Sequence, residues 1–397
     1  MGRSYDVVVI GGGIIGLSIA YQLVKRQKKV IVIEKNEIGS GASGACDDMI
    51  LLQSKKPGIS LEMAMESLDM YKTLSDELGI DIEYENHGGM ILIENQRHLN
   101  VMEEYIEQQR KYGLTVEIID KKAVYRKQPH VRQGVLASTY SPTDAQVNPL
   151  RVMRGYLSRG TALGLEVRKG VHISEINQKS SGWMVSFKDG TYIESEYIVN
   201  AAGAWAAEIG RMVDIQIPIR PKKGQVVITE QIPKLGDTNV WSAEYIVAKL
   251  KPELANEKNE VFKHLGVGFA LSQASCGNYI IGSTREEAGF DKKTNPEALQ
   301  LIVKQAVQFF PILSKVHFIR SFAGFRPATE DGKAILGGVE NRDGFFIAAG
   351  HEGDGIALAP ITGKLMADCI EGKQINYNME ELKLERFRQE EVECAFA

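Results

Sequence analysis

The first part of the chain alternates short apolar runs with one glycine-rich segment. Residues Tyr5–Ile10 are rich in β-branched apolar side chains, which predicts a buried parallel strand. The segment Gly11–Gly16 predicts a turn, and the pattern over Ile14–Lys25 predicts a helix. A second strand is predicted over Lys29–Ile33, and it ends at Glu34. Together these elements have the size of a βαβ crossover, about 30 residues.

Longer-range patterns predict helices and strands in the rest of the chain. Ser60 is the expected N-cap of a helix that ends at Gly79. The apolar face of that helix comprises Leu61, Ala64, Met65, Leu68, Tyr71, Leu74 and Leu78. Residues 224–290 predict mostly strands, as in an antiparallel sheet. A final buried strand over Phe345–Ala349 precedes a glycine-rich loop and a helix over residues 356–370.

Composition and charge narrow the class of protein. With 397 residues the chain exceeds what one hydrophobic core usually supports, and it contains neither internal repeats nor low-complexity linkers. We therefore expect two interleaved domains. A net charge of −4 without a basic block argues against a nucleic-acid partner. No apolar run reaches the ~18 residues that a membrane span needs.

The cysteines are scattered along the sequence. They are Cys46, Cys276, Cys369 and Cys394, and no two of them form a CxxC pair. This spacing predicts neither an iron–sulfur cluster nor a zinc site in the chain, so no metal is expected. A disulfide framework is equally unsupported, and we expect a reducing, cytoplasmic location.

The strongest chemical signal is a GxGxxG motif at the turn between the first strand and the first helix. Gly11 permits the tight turn, Gly13 leaves room for a pyrophosphate, and Gly16 lets the helix pack closely on the strand. The helix N-terminus, at Ile14 and Ile15, offers free N–H groups and a partial positive charge to the phosphates. The alternative is a purely structural glycine turn, which the flanking strand and helix disfavour.

The end of the second strand supports the same interpretation. Glu34 can accept hydrogen bonds from a ribose hydroxyl, and its charge would repel a 2′-phosphate, which disfavours NADP. Lys35 follows it directly. A second glycine-rich loop, Gly39–Gly44, comes soon afterwards. The early position of the motif and this second loop favour FAD over NAD.

These residues resemble a known family of FAD enzymes, the D-amino acid oxidase family, which includes glycine oxidase and the sarcosine oxidases. The similarity covers nearly the whole chain, and its segments are Gly11–Gly16, Ile33–Lys35, Gly39–Ser43, Asp144–Pro149, Asn200–Trp205, Arg220–Gln225, Gly324–Pro327 and Ala349–Gly355. Ser242–Lys249 and Gly282–Glu286 resemble the β-type subunits of multi-subunit dehydrogenases. Those enzymes act on proline, hydroxyproline, opines or glycine, the last being the hydrogen cyanide synthases.

The resemblance implies a fold class of α/β with α+β. A Rossmann-like FAD-binding domain would be interleaved with a mostly antiparallel-sheet substrate domain. The FAD-binding domain is expected over residues 1–50, 148–220 and 326–397. The substrate-binding domain is expected over residues 51–147 and 221–325. The flavin ring should lie at their boundary, where ligand sites usually form.

The resemblance also implies roles for particular residues. Arg326 matches the arginine that pairs with the substrate carboxylate, and a guanidinium can do so through two parallel hydrogen bonds. The alternative is a structural arginine beside a turn proline. His351 lies in the loop expected beneath the flavin, and it is either an active-site residue or a hydrogen-bonded scaffold residue. Arg326 and His351 are the predicted catalytic residues.

Cofactor contacts follow from the motif and the resemblance together. Val171 is expected to contact adenine through its backbone, whereas Trp205 packs either at the cofactor or in the core. The helix after the final loop would stabilise negative charge on the reduced flavin. The expected cofactor-binding residues are Gly11, Gly13, Ile14, Ile15, Gly16, Glu34, Lys35, Gly41, Ala42, Ser43, Gly44, Val171, Ala202, Gly203, Trp205, Gly353, Asp354, Gly355 and Ile356.

Several departures from the family pattern bear on the chemistry. Gly353 stands where glycine oxidase has a second arginine, and Phe269 falls near its substrate-binding tyrosine. No cysteine lies near Phe325, so the FAD is expected to be non-covalent. Ile280 takes the place of the lysine that helps oxygen react in the monomeric sarcosine oxidases. Thr143 stands where a histidine links FMN, which leaves only a non-covalent FMN at a subunit interface.

Acidic residues cluster near the expected flavin face. Asp47, Asp48 and Met49 follow the second glycine-rich loop, and Glu352 and Asp354 flank the histidine. Asp48 and Met49 are the predicted substrate-pocket residues. The acids either attract a cationic substrate, such as a basic amino acid or opine, or cap turns and face water.

The function expected is oxidation of the C–N bond of a small amino acid or secondary amine, by hydride transfer to flavin N5. No side-chain base is required if the amine arrives deprotonated. The chain would be the catalytic subunit of a dehydrogenase complex whose partner subunits carry iron–sulfur centres or a second flavin. One alternative is a stand-alone oxidase that uses O2 and releases H2O2. Another is a non-catalytic, flavin-holding subunit.

Overall fold

A computed structural model describes residues 3–251 and 260–387 of the chain; Cys394 and the end of the predicted FAD-binding domain lie outside them. The helices in this part are α1 (Ile14–Lys25), α2 (Ile59–Leu78), α3 (Gln96–Lys111), α4 (Lys121–Lys127), α5 (Pro149–Ala162), α6 (Ala206–Arg211), α7 (Ala243–Leu250), α8 (Glu260–Leu265), α9 (Pro296–Phe309) and α10 (Gly355–Ile370). None of these helices is long and apolar enough to cross a membrane.

The strands of the described residues form two large sheets and one separate two-stranded sheet. They are β1 (Arg3–Ile10), β2 (Val30–Ile33), β3 (Met49–Ile50), β4 (Gly89–Ile93), β5 (Glu117–Asp120), β6 (Ala137–Ser141), β7 (Ala145–Gln146), β8 (Glu166–Arg168), β9 (Ile173–Lys179), β10 (Gly182–Phe187), β11 (Tyr192–Asn200), β12 (Arg220–Gln231), β13 (Asn239–Ser242), β14 (Ala270–Gln273), β15 (Asn278–Gly282), β16 (Phe318–Ala328), β17 (Ile335–Val339) and β18 (Arg342–Ala349).

The first sheet is mostly parallel. Its strand order is β17–β18–β11–β1–β2–β8, and β1 pairs in parallel with both β2 and β11. The β9–β10 hairpin extends it through antiparallel pairing with β11. Helix α1 connects β1 to β2 and packs against α5 and α10. The predicted strand–turn–helix–strand unit at the start of the chain is therefore confirmed.

The second sheet is mostly antiparallel. Its strand order is β16–β12–β15–β14–β13–β4–β6–β5, and β13 with β4 is a parallel pair within it. The chain alternates between the two sheets, since the first takes strands from residues 3–33, 166–200 and 335–349. The second takes strands from 89–141 and 220–328. This order is the one expected of interleaved domains, whose exact bounds remain a prediction.

Helix α2 corrects one detail of the sequence interpretation. Its N-cap is Gly58 rather than Ser60, because Gly58 has φ 118° and turns the chain before the helix begins at Ile59. The end is as predicted, with Gly79 in the left-handed conformation at φ 67°. The predicted apolar face is buried except for Met65, which is half-buried.

The strands within residues 224–290 belong to the mostly antiparallel second sheet, as predicted, but two helices, α7 and α8, lie between them. In α7 the buried residues Ala243, Ile246 and Val247 recur at helical spacing. They face a cluster shared with α3 and the second sheet, so packing selects a helix there. A short apolar run is compatible with either a helix or a strand, so the sequence pattern alone cannot decide between the two.

Candidate functional site

A long cavity opens where the parallel strands of the first sheet end. Its volume is about 260 Å3, and we call it the first cavity. Ile10 and Ile33, at the ends of β1 and β2, line its wall together with Ala201, which directly follows β11, and His351, in the loop after β18. Ligands of open α/β sheets bind at this edge, outside the carboxyl ends of the strands.

The glycines of the first turn have separate structural reasons. Gly11 has φ +117°, and a Cβ on it would lie 2.4 Å from the carbonyl oxygen of Ala201. A Cβ on Gly16 would lie 2.0 Å from the carbonyl oxygen of Gly11, so Gly16 keeps α1 against β1. Gly13 lines the first cavity, and the nearest atom to a Cβ there is Ser43 Oγ at 3.2 Å. Gly13 is thus the glycine that leaves space for a ligand.

The carboxylate of Glu34 binds the turn as well as lining the cavity. Glu34 Oε2 accepts a 2.8 Å hydrogen bond from the N–H of Gly12, and Oε1 accepts one of 2.8 Å from the N–H of Asn36. Each carboxylate oxygen has a second lone pair, so a ribose hydroxyl can still donate to it. The sequence predicted the ligand contact but not this link between the strand end and the glycine turn.

The second glycine-rich loop closes over the start of α1. Its residues Gly41, Ala42 and Ser43 line the first cavity, and Ser43 Oγ accepts a 3.1 Å hydrogen bond from the N–H of Ile14. Gly44 does not line the cavity; a Cβ on it would lie 2.2 Å from the carbonyl oxygen of Gly39, so the close approach within the loop requires glycine there. The loop therefore both binds the first turn of α1 and forms part of the cavity wall in front of that helix.

The far end of the first cavity is aromatic. Trp205 stacks on Phe290 with ring centroids 5.0 Å apart, and Lys35 Nζ lies 3.7 Å from the Trp205 ring centroid. Trp205 and Lys35 both line the cavity, together with Ala202 and Gly203. Val171 also lines it, but its N–H already donates to the carbonyl of Glu34 at 3.3 Å. An adenine contact would therefore use its carbonyl or side chain.

The N-terminus of α10 forms the opposite end of the first cavity. Gly353, Gly355 and Ile356 line the wall, and the first turn of this helix directs its N–H groups and partial positive charge towards the space. Asp354 points elsewhere, since its Oδ1 lies 2.7 Å from Lys55 Nζ in the wall of a second, smaller cavity.

Arg326 lies where the first cavity meets the second cavity, which has a volume of about 70 Å3. Its Nη1 donates to the carbonyl of Thr284 at 2.9 Å, and its Nη2 donates to Ser283 Oγ at 2.8 Å. A Cβ on Gly224, on the neighbouring strand, would lie 2.2 Å from Nη1. The missing side chain at Gly224 is therefore what allows the guanidinium to lie flat across the sheet.

The second cavity contains residues to which the sequence assigned no role. Arg285 Nη2 pairs with Glu352 Oε1 at 2.5 Å, and its Nη1 donates to the hydroxyl of Tyr245 at 3.2 Å. Arg285 and Tyr245 lie in two of the segments that resemble the family, and this resemblance was the only sequence signal for a role in the site. Arg285 therefore places a second guanidinium in the wall of this cavity, whereas Gly353, where the family resemblance leads one to expect an arginine, provides none.

The two predicted substrate-pocket residues lie in different cavities. Met49 lines the second cavity. Asp48 is 6% exposed and lines a third cavity of about 340 Å3, whose wall also includes Ile280. Burial raises the pKa of the Asp48 carboxyl to about 7, and the nearby Asp47 adds to the effect. The structure therefore brings Met49, but not Asp48, beside Arg326.

His351 is held in the scaffold although it lines the first cavity. It is 4% exposed, and its Nε2 lies 3.1 Å from the hydroxyl oxygen of Thr362 on α10. Burial lowers the pKa of the imidazole to about 4, so the ring is neutral near pH 7. A neutral, hydrogen-bonded ring fits the scaffold alternative better, and the catalytic role of His351 remains a prediction.

The fold and the site define a dinucleotide-dependent enzyme, because a glycine turn at a parallel sheet and an arginine from an antiparallel sheet meet in one space. Comparison with protein families gives the particular class. A model of the DAO family, described as FAD dependent oxidoreductase, matches residues 6–369. The chain belongs to this family and is an FAD-dependent oxidoreductase.

Relatives cover the chain almost completely. Glycine oxidase of Geobacillus kaustophilus is 29% identical over 97% of this chain and 98% of its own, and its crystal structure superposes with a TM-score of 0.86. Hydrogen cyanide synthase subunit HcnC of Pseudomonas aeruginosa is 26% identical over the full length of both chains. The structure of L-proline dehydrogenase from P. horikoshii superposes with a TM-score of 0.85 at 27% identity, covering 98% of this chain and 99% of that one.

The residues of the first cavity fit FAD. The open space at Gly13 and the N-terminus of α1 suit the pyrophosphate, and Glu34 suits a ribose. The N-terminus of α10 suits the electron-rich part of the isoalloxazine ring. Neither the described residues nor the relatives support the second flavin, FMN, that the sequence left open.

Replacing Glu34 with Gln is expected to weaken FAD binding about 10- to 100-fold. The carboxylate that would accept from a ribose hydroxyl becomes a neutral amide with one acceptor oxygen, which the N–H of Gly12 or Asn36 already occupies, so FAD loses a hydrogen bond to a charged group, worth about 1.5–3 kcal/mol. Titration of the apoprotein with FAD, followed by flavin fluorescence, measures the change. Glu37→Gln, at an exposed acid nearby, is the control, and equal affinity for both variants would contradict the assigned role.

Proposed function

We propose that this enzyme oxidises the C–N bond of a small amino acid or secondary amine whose carboxylate binds Arg326. The observation that carries the proposal is the position of this guanidinium at the junction of the first and second cavities. Nη1 and Nη2 each donate one hydrogen bond within the described residues, whereas Nε, on the side of Gly353, donates none, which leaves N–H groups for a ligand. A carboxylate can pair with that edge through charge-assisted hydrogen bonds.

The size and charge of the second cavity favour a small anionic group. Its volume of about 70 Å3 suits a compact substrate such as proline, hydroxyproline, glycine, sarcosine or a small opine. Glu352 and Asp354 are already paired with Arg285 and Lys55, so they do not offer free negative charge to a cationic side chain. The hypothesis that these two acids select a basic substrate therefore loses its support.

The residues of the site bind, orient and exclude water. Arg326 holds the carboxylate, while Met49, Trp241 and Tyr245 enclose the small cavity. This fixes the α-carbon at the boundary with the first cavity and removes solvent from it. When bound there, FAD supplies an acceptor for the hydride that leaves the α-carbon. The imine that results hydrolyses after release.

We further propose that the chain passes its electrons to a partner subunit. HcnC is named as a subunit of hydrogen cyanide synthase, which supports a role for this chain as one subunit of a larger enzyme. Ile280, an apolar residue, stands where the lysine that activates oxygen is expected, which also favours a dehydrogenase. The alternative, a stand-alone oxidase that releases H2O2, is favoured by the likeness to glycine oxidase.

Anaerobic mixing of the purified flavoprotein with a panel of amino acids and opines tests the proposal. At least one of these compounds is expected to reduce the flavin, seen as a loss of its oxidised absorbance band. Slow recovery on admitting air would support the dehydrogenase, whereas fast recovery with peroxide would establish the oxidase. If no amino acid or amine bleaches the flavin, the chain is a non-catalytic, flavin-holding subunit and the proposal is wrong.

A further inference from the structure

One carboxylate lies at the junction of all three cavities. Asp47 follows the second glycine-rich loop, and it belongs to the walls of the first, second and third cavities. Arg326 belongs to the walls of the first two. A cation and an anion are therefore placed around the same small space, on elements that are far apart in the sequence.

Asp47 differs from the other acids of the second cavity in its partners. Asp354 pairs with Lys55 at 2.7 Å and Glu352 pairs with Arg285 at 2.5 Å. Among residues 3–251 and 260–387, no lysine or arginine forms an ion pair with Asp47. Its Oδ1 accepts a long, 3.5 Å hydrogen bond from the N–H of Met49. This carboxylate remains available to a positively charged group that enters the cavity.

We propose that Asp47 binds the ammonium group of the substrate and accepts a proton from it before the C–N bond is oxidised. The inference rests on the proposed function, since it takes the substrate to be an amino acid whose carboxylate binds Arg326. Such a zwitterion carries opposite charges one carbon apart. Arg326 and Asp47 together hold both ends, which leaves the α-carbon between them oriented towards the first cavity.

Proton transfer to Asp47 precedes the loss of hydride from the substrate. One N–H bond of the ammonium group breaks, its proton passes to a carboxylate oxygen of Asp47, and the electron pair stays on nitrogen. That pair then forms the C=N bond as the Cα–H bond breaks and its two electrons leave as hydride to the bound flavin. The substrate is oxidised to the iminium ion, and Asp47 later returns its proton to water.

The charges around Asp47 suit a proton acceptor. Burial raises the pKa of its carboxyl, while the positive charge of Arg326 and the N–H of Met49 lower it. A carboxyl with a raised pKa lies closer to the pKa of an amine, which eases proton transfer. The charged or titratable groups near it are Arg326 on β16, Lys55 after β3, Asp354 before α10, and its neighbours Cys46 and Asp48.

Asp47→Asn tests the inference through the pH dependence of anaerobic flavin reduction. At pH 7 the variant is expected to reduce its flavin on the order of 100-fold more slowly, because the substrate must lose its proton without help. The loss should disappear near pH 10, where the amine arrives deprotonated. A purely structural role of Asp47 would slow the reaction equally at every pH, and that result would overturn the inference.

Binding of unreactive ligands gives an independent readout. Acetate carries the carboxylate alone, whereas trimethylglycine carries a carboxylate and a fixed positive charge that cannot lose a proton. Calorimetry should show that Asp47→Asn weakens trimethylglycine binding about tenfold and leaves acetate binding unchanged or tighter. An unchanged ratio of the two dissociation constants would count against the charge contact.

Two further variants keep the test decisive. Asp368→Asn makes the same substitution at an acid that pairs with Arg26, and it should behave as the wild type. If Asp47→Asn fails to retain flavin, Asp47→Glu replaces it and should keep the wild-type pH profile at a lower rate; a profile shifted towards pH 10 would overturn the inference. A wild-type flavin that no amino acid bleaches would overturn the proposed function, and this inference with it.

Discussion

Arg326→Ala is expected to lower kcat/KM for the amino-acid substrate on the order of 1000-fold. Removing a charged partner from a desolvated carboxylate costs about 2–5 kcal/mol, and each 1.4 kcal/mol is a factor of ten. The loss should appear mainly as a higher KM, because the guanidinium binds the ground state as well as the transition state. Steady-state kinetics with an artificial electron acceptor measures both constants.

The neighbouring Arg320→Ala provides a matched control for this prediction. Arg320 lies on the same strand, β16, but it is exposed and lines the third cavity rather than the second. Arg326→Lys should recover part of the activity, because lysine keeps the charge and loses the paired geometry. If Arg326→Ala kept kcat/KM within threefold of the wild type, the carboxylate would have to bind elsewhere.

Gly16→Ala is expected to prevent the accumulation of stable flavoprotein. Its added Cβ would lie 2.0 Å from the backbone oxygen of Gly11 and 3.3 Å from Val9 Cγ1. A backbone oxygen in a tight turn cannot move aside without separating α1 from β1. We expect the free energy of unfolding to fall by about 3 kcal/mol, as measured by denaturant titration of the apoprotein.

Gly13→Ala separates folding from cofactor binding. A Cβ there would meet only the hydroxyl oxygen of Ser43, at 3.2 Å, so the apoprotein should unfold at nearly the wild-type denaturant concentration. The methyl group would project into the first cavity, however, and FAD content should fall. Equal stability of Gly16→Ala and the wild type would show that the close contact of helix and strand is unnecessary.

The dinucleotide part of the site was predictable because its determinants are local. The glycines of the first turn and Glu34 belong to one βαβ unit, and a fixed spacing along the chain fixes their geometry. The hydrogen bond from Gly12 N–H to Glu34 Oε2 closes that same unit. Helix α10 and the second half of β18, Phe345–Ala349, were also predicted, since both segments are rich in apolar residues.

The residues that line the second cavity were less predictable from the sequence. Tyr245 lies on a short helix that the sequence pattern did not distinguish from a strand, and Arg285 follows β15. Only the packing of the second sheet against α7 brings them together, and no local spacing encodes that contact. Asp48 and Met49 show the same limit, because adjacent residues on an extended segment point to opposite sides.

The order of strands in the first sheet sets when this protein can acquire its cofactor during synthesis. β18 pairs with β11 in the middle of the sheet, and α10 packs against α1 from the start of the chain. A ribosome must therefore release residues beyond 349 before the wall of the first cavity is complete. Until then, the apolar surfaces of β11 and α1 are not yet covered by β18 and α10, which are synthesised later. We therefore expect the complete flavin site to form only after α10 has left the ribosome, since Gly353, Gly355 and Ile356 belong to the wall of the first cavity.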